Sequence, residues 1–237
     1  MSRILLILAI MLSGCAAIPQ HLTEERQNEI RNVAVISLVP ENVNFDKIGT
    51  ISFFNQHTVF DMNGRVASGI LSAARARIAK SHPAWAVKSV QYDQAALLAI
   101  VESPLGFSAT AAKDAFADLA RKNNLDAIFV VRAAEDTDNN LREGVNVLFA
   151  NNPMDASQRL TVRANLNVAI TDKQGEVIAE GGVPASLDNV KALDPDAFDL
   201  KDKMKNNLRP EVFSKLGVEV VADLTRRINL CFDSLGF

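Results

Sequence analysis

The sequence predicts an α/β (α+β) protein in which a mixed β-sheet packs against amphipathic helices in two or three layers. Two short apolar runs, 33–36 and 127–131, are rich in β-branched residues and are typical of central strands buried on both faces. Segments with apolar residues at helical spacing lie between these runs, as expected of βαβ units with right-handed crossovers. A long alternating strand and a hairpin turn follow, so the later part of the sheet is expected to be antiparallel.

The chain opens with a short leader. Arg3 gives it a basic start and residues 4–12 form an apolar run, which matches the charged and apolar regions of a secretory signal. Nine apolar residues are too few to cross a hydrocarbon core about 30 Å thick, because a helix rises only about 1.5 Å per residue. Residues 1–14 are therefore expected to be a signal peptide.

The leader ends in Leu12, Ser13, Gly14 and Cys15, which resemble the lipobox of bacterial lipoproteins. The resemblance implies signal cleavage between Gly14 and Cys15, a thioether-linked diacylglycerol on Cys15 and acylation of the new amino terminus. Two or three acyl chains hold a protein to a bilayer essentially permanently. Ala16 stands where inner-membrane lipoproteins of enterobacteria carry an aspartate, so the resemblance implies the periplasmic face of the outer membrane. The alternative is an ordinary signal peptide that contains a cysteine.

A lipidated cysteine and tether, residues 15–32, are expected to precede a single periplasmic domain, residues 33–237. If residues 16–32 are flexible, they span about 20 to 25 Å. Alternatively, Thr23 caps a short helix that starts at Glu24.

The composition suits one globular domain with a sizeable core. The chain has 237 residues, of which 48% are hydrophobic and 22% are charged. Its net charge is −3 and its sequence has no Lys/Arg cluster, which argues against nucleic acid as a partner, because phosphate binding needs concentrated positive charge. With one Trp and one Tyr, an aromatic sugar-binding cleft is poorly supported.

The first half of the domain is expected to alternate strands and helices. Residues 48–54 and 58–60 suggest a strand pair, and Asn63 is placed to cap a helix over residues 64–80. The apolar positions of this helix recur at every fourth residue, which predicts one face packed on the sheet and one in water. These positions are Val66, Ile70, Ala74 and Ile78.

Further strands and helices follow the first helix. Residues 85–92 suggest a strand, and Asp93 is placed to cap a short helix that continues through Ile100. A clearer amphipathic helix over 110–122 is expected to end at the Asn123–Asn124 pair and to lead into the buried strand at 127–131.

The second half of the domain is expected to be antiparallel. Residues 144–150 and 160–171 suggest strands, and alternate residues of the second are apolar, which predicts a sheet with one wet face. Residues 172–175 suggest a hairpin turn, from which the chain returns as a strand over 176–180. The polar, proline-containing segment 181–207 is expected to be irregular, with one short helix.

A long helix is expected to end the chain. Pro210 suits its first turn, and its apolar stripe, which reaches Leu235, is expected to pack on the remaining sheet face, the alternative being a seam between subunits. Cys231 lies on this stripe. Because Cys15 is expected to carry lipid, Cys231 is expected to be a small buried hydrophobic residue, the alternative being a disulfide with another chain. The stripe comprises Phe213, Leu216, Val220, Val221, Leu224, Ile228, Cys231 and Leu235.

A second resemblance covers about half of the chain. The helix 115–120, the Asp-Ala-hydrophobic strand within 124–131, the long strand 160–170 and the Gly-Glu hairpin within 172–179 form a layout common among envelope lipoproteins. This layout is similar to the curli-secretion-channel lipoproteins and to the amino-terminal domain of the Tol propeller protein. The resemblance implies an envelope α/β domain and carries no motif for a reaction.

The sequence offers weak support for metal sites, and no cofactor is expected. His21, His57 and His82 are far apart, and no cluster has metal-ligand spacing. Residues 136–147 resemble the start of a calcium loop, but Leu141 replaces the turn glycine and Val147 stands at the position of the bidentate glutamate.

Catalysis is also weakly supported, and the protein is not expected to be an enzyme. His57, Asp61 and Ser52 could form a triad, yet no nucleophile turn accompanies them. The glycines do not form a phosphate-binding loop, and the acidic residues between 194 and 202 suit a solvated surface.

Two functions remain. The first is a non-catalytic adaptor or assembly subunit of an envelope system, which uses a sheet edge or helix face to hold an envelope protein or another copy of itself near the outer membrane. The second is a periplasmic protein that binds a small ligand, or an undetected hydrolase, with a pocket at the carboxyl ends of the strands. The loops after Val39, Tyr92 and Arg132 would form that pocket.

Overall fold

The computed structural model describes residues 21–48, 55–103, 106–134, 144–151, 158–183, 190–198, 200 and 210–237. Gly14 and Cys15 lie outside these residues. The helices are α1 (Glu24–Glu29), α2 (Arg65–Ser81), α3 (Gln94–Val101), α4 (Thr110–Asn123) and α5 (Pro210–Ser234), with short 3-10 turns at Gly106–Ser108 and Pro195–Phe198. The strands are β1 (Asn32–Ser37), β2 (Asn42–Ile48), β3 (Gln56–Asp61), β4 (Ala86–Lys88), β5 (Ala127–Ala133), β6 (Val145–Asn151), β7 (Gln158–Ala164), β8 (Leu166–Asp172), β9 (Val177–Gly182) and β10 (Lys191–Leu193).

Two mixed five-stranded sheets form the framework, which confirms the predicted α/β class. The first sheet has the order β4-β1-β5-β8-β9, and the second has the order β10-β7-β6-β2-β3. In the first sheet β4, β1 and β5 are parallel, while β8 and β9 are antiparallel to their neighbours. In the second sheet β2 and β6 are parallel and the other pairs are antiparallel.

The two sheets share their central chain segments. β1, β5 and β8 are neighbours in the first sheet, and the strands next to them along the chain, β2, β6 and β7, are neighbours in the same order in the second. The predicted strand over 160–171 is therefore real, but it is divided at Asn165, where the chain passes from one sheet into the other.

Helices cover both faces of the first sheet. Val33 and Val35 belong to one buried cluster, together with residues of α2 and α5. Ala34 and Ile36, which point the other way, pack in a second cluster with residues of α3 and α4. The continuous apolar run of β1 thus reflects burial on both faces, as predicted.

The second sheet has one apolar and one polar face. On its inner face, Val43, Phe45 and Val162 are buried in the same cluster as Leu216 of α5. On its outer face, residues such as Asn44 and Asp46 of β2 and Thr161 and Arg163 of β7 are half-buried. The predicted wet face therefore holds for β7, whereas both faces of β8 are buried near its end, at Ile170 and Thr171.

Helix α2 is capped from a distance. Asn63, the predicted cap, has a left-handed backbone (φ 52°), and the N-cap position is Gly64, which also has a positive φ of 80°. The carboxylate of Glu41 instead accepts hydrogen bonds from the backbone N–H groups of Val66 (3.1 Å) and Ala67 (2.8 Å). A carboxylate at this position satisfies two unpaired donors and lies at the positive end of the helix dipole.

Two strand predictions were misplaced. The partner of β3 is β2, at Asn42–Ile48, whereas the predicted strand 48–54 lies outside the described residues except for its first residue. The structural signal is the alternation of buried Val43 and Phe45 with half-buried polar neighbours. The strand predicted at 85–92 is confined to Ala86–Lys88.

The folded domain begins before residue 33. Thr23 Oγ1 accepts a hydrogen bond from the backbone N–H of Arg26 (3.4 Å) at the start of α1, which confirms the helical alternative. Leu22 is 3% exposed and Ile30 is 4% exposed, and both belong to the main core cluster. The predicted flexible tether therefore does not extend over residues 21–32, because burying these two side chains fixes the segment against the domain.

The other helices agree with the prediction. Asp93 Oδ1 accepts a hydrogen bond from the Ala96 N–H (3.0 Å) at the start of α3, and α4 ends at Asn124 in a left-handed conformation. Most of the predicted stripe of α5 is buried in the core, which confirms packing on the sheet. None of the described helices is long and apolar enough to cross a membrane.

Candidate functional site

Two of the loops predicted to form a ligand pocket, those after Val39 and Tyr92, meet at the carboxyl end of β1, whereas residues 135–143 of the third lie outside the described residues. The Tyr92 hydroxyl accepts a hydrogen bond from the Ser37 N–H and donates one to the Ser37 carbonyl oxygen, both at 3.0 Å. Gln94 Nε2 donates to the carbonyl oxygen of Val39 (3.0 Å). Burial raises the pKa of Tyr92. These polar groups are engaged with each other and hold the loops together.

Arg132, at the end of β5, is also engaged within the protein. Its guanidinium carbon lies 5.1 Å from the centroid of the Phe107 ring, and Nη2 lies 3.3 Å from Glu180 Oε1. The three predicted pocket loops therefore present an internally bonded surface in the described part of the chain.

A small cavity lies at the opposite end of the first sheet. Its volume is about 60 Å³, and it is bordered by α1, Asp126 and the β8–β9 turn. A cavity of this volume has room for ordered water. Its lining carries both basic and acidic side chains, including Arg26, Glu29 and Lys173.

The residues considered for a catalytic triad do not come together as one. His57 Nδ1 lies 2.8 Å from Asp46 Oδ1, and Asp61 Oδ1 instead accepts a hydrogen bond from the Asn63 N–H (2.7 Å). Ser52 lies outside the described residues. His57 and Asp46 form an ion pair when the imidazole is protonated, and the pair lies on the outer face of the second sheet.

The other two histidines lie elsewhere in the molecule. His82 stacks on Trp85 with ring centroids 4.0 Å apart, and burial lowers the pKa of His82. His21 lies beside Gly236, past the end of α5. Within the described ranges, no group of three or more His, Cys, Asp and Glu side chains is arranged to hold a metal ion.

Cys231 behaves as a core residue. It is fully buried, and its Sγ lies 3.4 Å from the carbonyl oxygen of Leu166 on β8. Burial raises the pKa of its thiol to about 12. The interpretation as a buried hydrophobic residue is therefore confirmed, since a thiol in this place does not meet another chain.

The β2–β3 hairpin, residues 42–48 and 56–61, forms one edge of the second sheet. β3 is the terminal strand, and none of the described strands pairs with its outer side. Val59 is 48% exposed and Ile48 is 42% exposed, and their positions in the register place both on the outer face. Among the described residues, Val218 of α5 is the other large hydrophobic residue with comparable exposure, at 57%.

The inner side of this hairpin is fixed to the core. Val43 and Phe45 are buried, and the ring of Phe60 lies 4.8 Å from the ring of Phe213 at the start of α5. The backbone N–H of Met62 donates to the Glu41 carbonyl oxygen (3.1 Å) where β3 ends. The hairpin is therefore well supported on its inner side, and its terminal strand carries the exposed Val59.

No protein-family model matches the chain, and no curated protein matches it. Function therefore has to be inferred from the chain's own residues. The sequence analysis missed the hairpin as a candidate site because it predicted no strand over residues 42–47. The signal that identifies a strand with one exposed face is the alternation of Val43 and Phe45 with Asn42, Asn44 and Asp46.

Proposed function

We propose that this protein is a lipoprotein anchored to the periplasmic face of the bacterial outer membrane through Cys15, and that it acts as a non-catalytic adaptor of an envelope system. The observation that carries the proposal is the β2–β3 hairpin, whose terminal strand β3 pairs with no other described strand on its outer side and carries the exposed Val59. A protein partner would add to this edge by strand pairing and cover Val59.

An open sheet edge exposes a protein to pairing with other chains. Unpaired N–H and C=O groups along a strand are a template for pairing, and soluble proteins usually protect such edges with charges, prolines or bulges. β3 carries the charged Asp61 at its end, but it has neither proline nor a register shift in its pairing with β2. Strand addition would pair the outer side of β3 with a partner strand, and the flanking side chains would supply specificity.

The position of the hairpin suits a tethered adaptor. The chain enters the domain at Leu22, passes up β1 in the first sheet and continues through β2 in the second. The described chain begins at His21 and leads through α1 into β1 of the first sheet, whereas Val59 pairs with Asn44 in the second sheet. The proposed anchor would therefore lead into the first sheet, and the proposed docking edge belongs to the second.

The alternative, a small-ligand protein or hydrolase, has less support in the described residues. Tyr92, Gln94 and Arg132, at the predicted pocket, are engaged in contacts within the protein. Saturable thermal stabilisation by a compound from a periplasmic ligand library would favour it over the adaptor.

The test is in vivo cross-linking of the tagged, full-length protein in its native envelope, followed by purification under denaturing conditions. We compare the wild type with Val59→Asp, with Val218→Asp as a matched exposed-valine control, and with Cys15→Ser as a mislocalised control. We expect one product at near-equal amount with the wild type and with Val218→Asp, and its loss with Val59→Asp and Cys15→Ser.

Two results would overturn the proposal. The first is recovery of the wild type alone, at monomer mass. The second is an unchanged product with Val59→Asp, provided that circular dichroism shows this variant to be folded. Release of the wild-type protein from membranes by salt alone, without detergent, would separately refute the lipid anchor.

A further inference from the structure

We propose that a second copy of this chain occupies the β3 edge, so that two β3 strands pair antiparallel about a two-fold axis at Val59. This inference rests on the proposed function, because it uses the same hairpin and names its occupant. The pairing joins two second sheets into one continuous ten-stranded sheet, since each contributes five strands. It is an isologous contact, in which the same surface serves both subunits.

The geometry of the strand limits the registers that such a pair can adopt. An axis perpendicular to the sheet keeps outward side chains on the outward face, so directly opposed residues must point to the same side in both copies. With the axis at Val59, the two Val59 side chains face each other. His57 then faces the partner's Asp61, and Thr58 faces the partner's Phe60.

Charge complementarity selects this register. The outward face of β3 carries His57, whose imidazole becomes a cation when protonated, and the acidic Asp61. Each lies two residues from Val59, on opposite sides of it. A two-fold axis at Val59 therefore creates two imidazole–carboxylate pairs. Moving the axis to Thr58 or to Phe60 places Val59 opposite His57 or Asp61, which leaves the polar groups without each other. Opposite charges directly across a pair of strands are stabilising.

The surrounding contacts are compatible with this pairing. His57 already contacts Asp46 through Nδ1, at 2.8 Å, so Nε2 is the ring nitrogen that would meet the partner's Asp61. On the inner face, Phe60 and Phe213 are only half-buried and lie at the rim of the core. Thr58 and Phe60 of the second copy would continue this layer and remove both rings from water.

The size of the contact explains why the membrane matters. A six-residue edge strand buries less surface than the roughly 800 Å² per partner of a typical stable interface. The pairing should therefore be weak between freely diffusing molecules. Lipid anchors would confine two copies to one surface and raise their effective concentration, which strengthens a weak contact without adding any new one.

The test is disulfide trapping in native membranes, with the full lipidated chain. In the proposed register the Cα atoms of the two Val59 residues lie about 4.5 to 5.5 Å apart, which is within disulfide range. We expect Val59→Cys to form a covalent homodimer on mild oxidation. Its rate of dimer formation should exceed that of Val218→Cys, a comparably exposed site on α5, by roughly tenfold or more. The wild type, in which Cys231 is buried, gives the background rate of disulfide-linked dimer formation.

A second arm tests the register. When His57→Cys and Asp61→Cys chains carrying different tags are made in equal amounts in the same cell, we expect the mixed dimer to exceed the sum of the two homodimers, which is the level that random pairing gives. Asp61→Lys, which opposes a cation to His57, should lower the yield of the Val59→Cys dimer.

The outcomes separate this inference from the proposed function. A Val59→Cys dimer that forms no faster than the Val218→Cys dimer, or a mixed dimer that does not exceed the sum of the two homodimers, would overturn the inference. If a different protein is then cross-linked in a Val59-dependent manner, the adaptor function stands and its partner is not a second copy. If Val59→Asp also leaves all cross-linked products unchanged, both proposals fail.

Discussion

Asp223 and Arg227 lie one helical turn apart on α5, and both are buried. Arg227 Nε donates to Asp223 Oδ2 at 2.6 Å, and Arg226 Nη2 donates to Asp223 Oδ1 at 2.8 Å. Two ionised groups in a core are stable only while they remain paired, because each alone would carry the full cost of desolvation. Removing one partner is therefore expected to cost more than an exposed pair would.

The buried ion pair gives the first prediction. Asp223→Ala leaves the Arg227 charge buried beside a cavity, so we expect it to lower the free energy of unfolding by about 3 to 5 kcal/mol. The matched control is Asp233→Ala, since Asp233 also pairs with an arginine, Arg77, but is 54% exposed. Its expected cost is about 0 to 1 kcal/mol. Urea denaturation followed by circular dichroism measures both, and equal losses would refute the distinction.

The Cys231 thiol gives a prediction about pH. Its pKa is raised from 9.0 to about 12 by burial, so the unfolded chain ionises this group before the folded chain does. Stability from the buried thiol is therefore complete below pH 9 and is lost as the pH rises towards 12, by about 1 kcal/mol per pH unit. We expect the difference in unfolding free energy between the wild type and Cys231→Ala to shrink from pH 8 to pH 10.5. A constant difference would mean that the thiol is not desolvated.

Among the elements, α2 shows where local sequence stops being informative. Its buried face, from Val66 to Ile78, was predicted from periodicity, because that signal is local. The cap of α2 was not predicted, because Glu41 lies 25 residues before Val66 in the chain. The paired strands β2 and β3 lie between Glu41 and the helix along the chain. Asn63 has a suitable side chain, but its left-handed backbone turns the chain and cannot serve as an extended N-cap.

The cap of α2 gives the third prediction. We expect Glu41→Ala to lower the free energy of unfolding by about 1 to 2 kcal/mol, because two backbone donors lose their acceptor and the helix dipole loses a facing charge. Asn63→Gly is the control, since glycine adopts the positive φ of that residue readily, and its expected change is within about 0.5 kcal/mol. Chemical denaturation measures both changes. A larger loss for Asn63→Gly would restore the cap predicted from the sequence.

The same reasoning applies to the strands. The buried runs of β1 and β5 were predicted because apolar residues on both faces leave an unbroken signal. β2 was missed because four of its seven residues are polar. One of its two neighbouring strands, β6, is also about a hundred residues away in the chain. The candidate docking edge belongs to this missed strand pair, so the site was less accessible to sequence reasoning than the core was.

At the scale of the whole molecule, the domain includes the segment that the sequence assigned to a tether. The carboxylate of Asp126 accepts hydrogen bonds from the N–H groups of Arg31 (2.9 Å) and Asn32 (2.8 Å), which fixes the entry to β1 beside the start of β5. Leu22 and Ile30, which flank α1, pack into the main core cluster. The folded body therefore starts no later than Leu22, only seven residues after Cys15.

This boundary gives the fourth prediction. We expect Ile30→Ala to lower the free energy of unfolding by about 2 to 4 kcal/mol, because it empties a buried site in the main core. Ile48→Ala changes the same residue type at a position that is 42% exposed, and its expected cost is below about 1 kcal/mol. Equal small losses, measured by urea denaturation, would show that residues before 33 are a detachable linker.

The position of β1 has a mechanical consequence. β1 is flanked by β4 and β5, both parallel to it, and it is the first strand after the proposed lipid anchor. A pull on the proposed anchor would enter the described domain ahead of β1, and the hydrogen bonds of β1 to both parallel neighbours would resist a force directed along the strand in shear. With the proposed anchor and partner in place, the domain would transmit tension between the membrane and its partner.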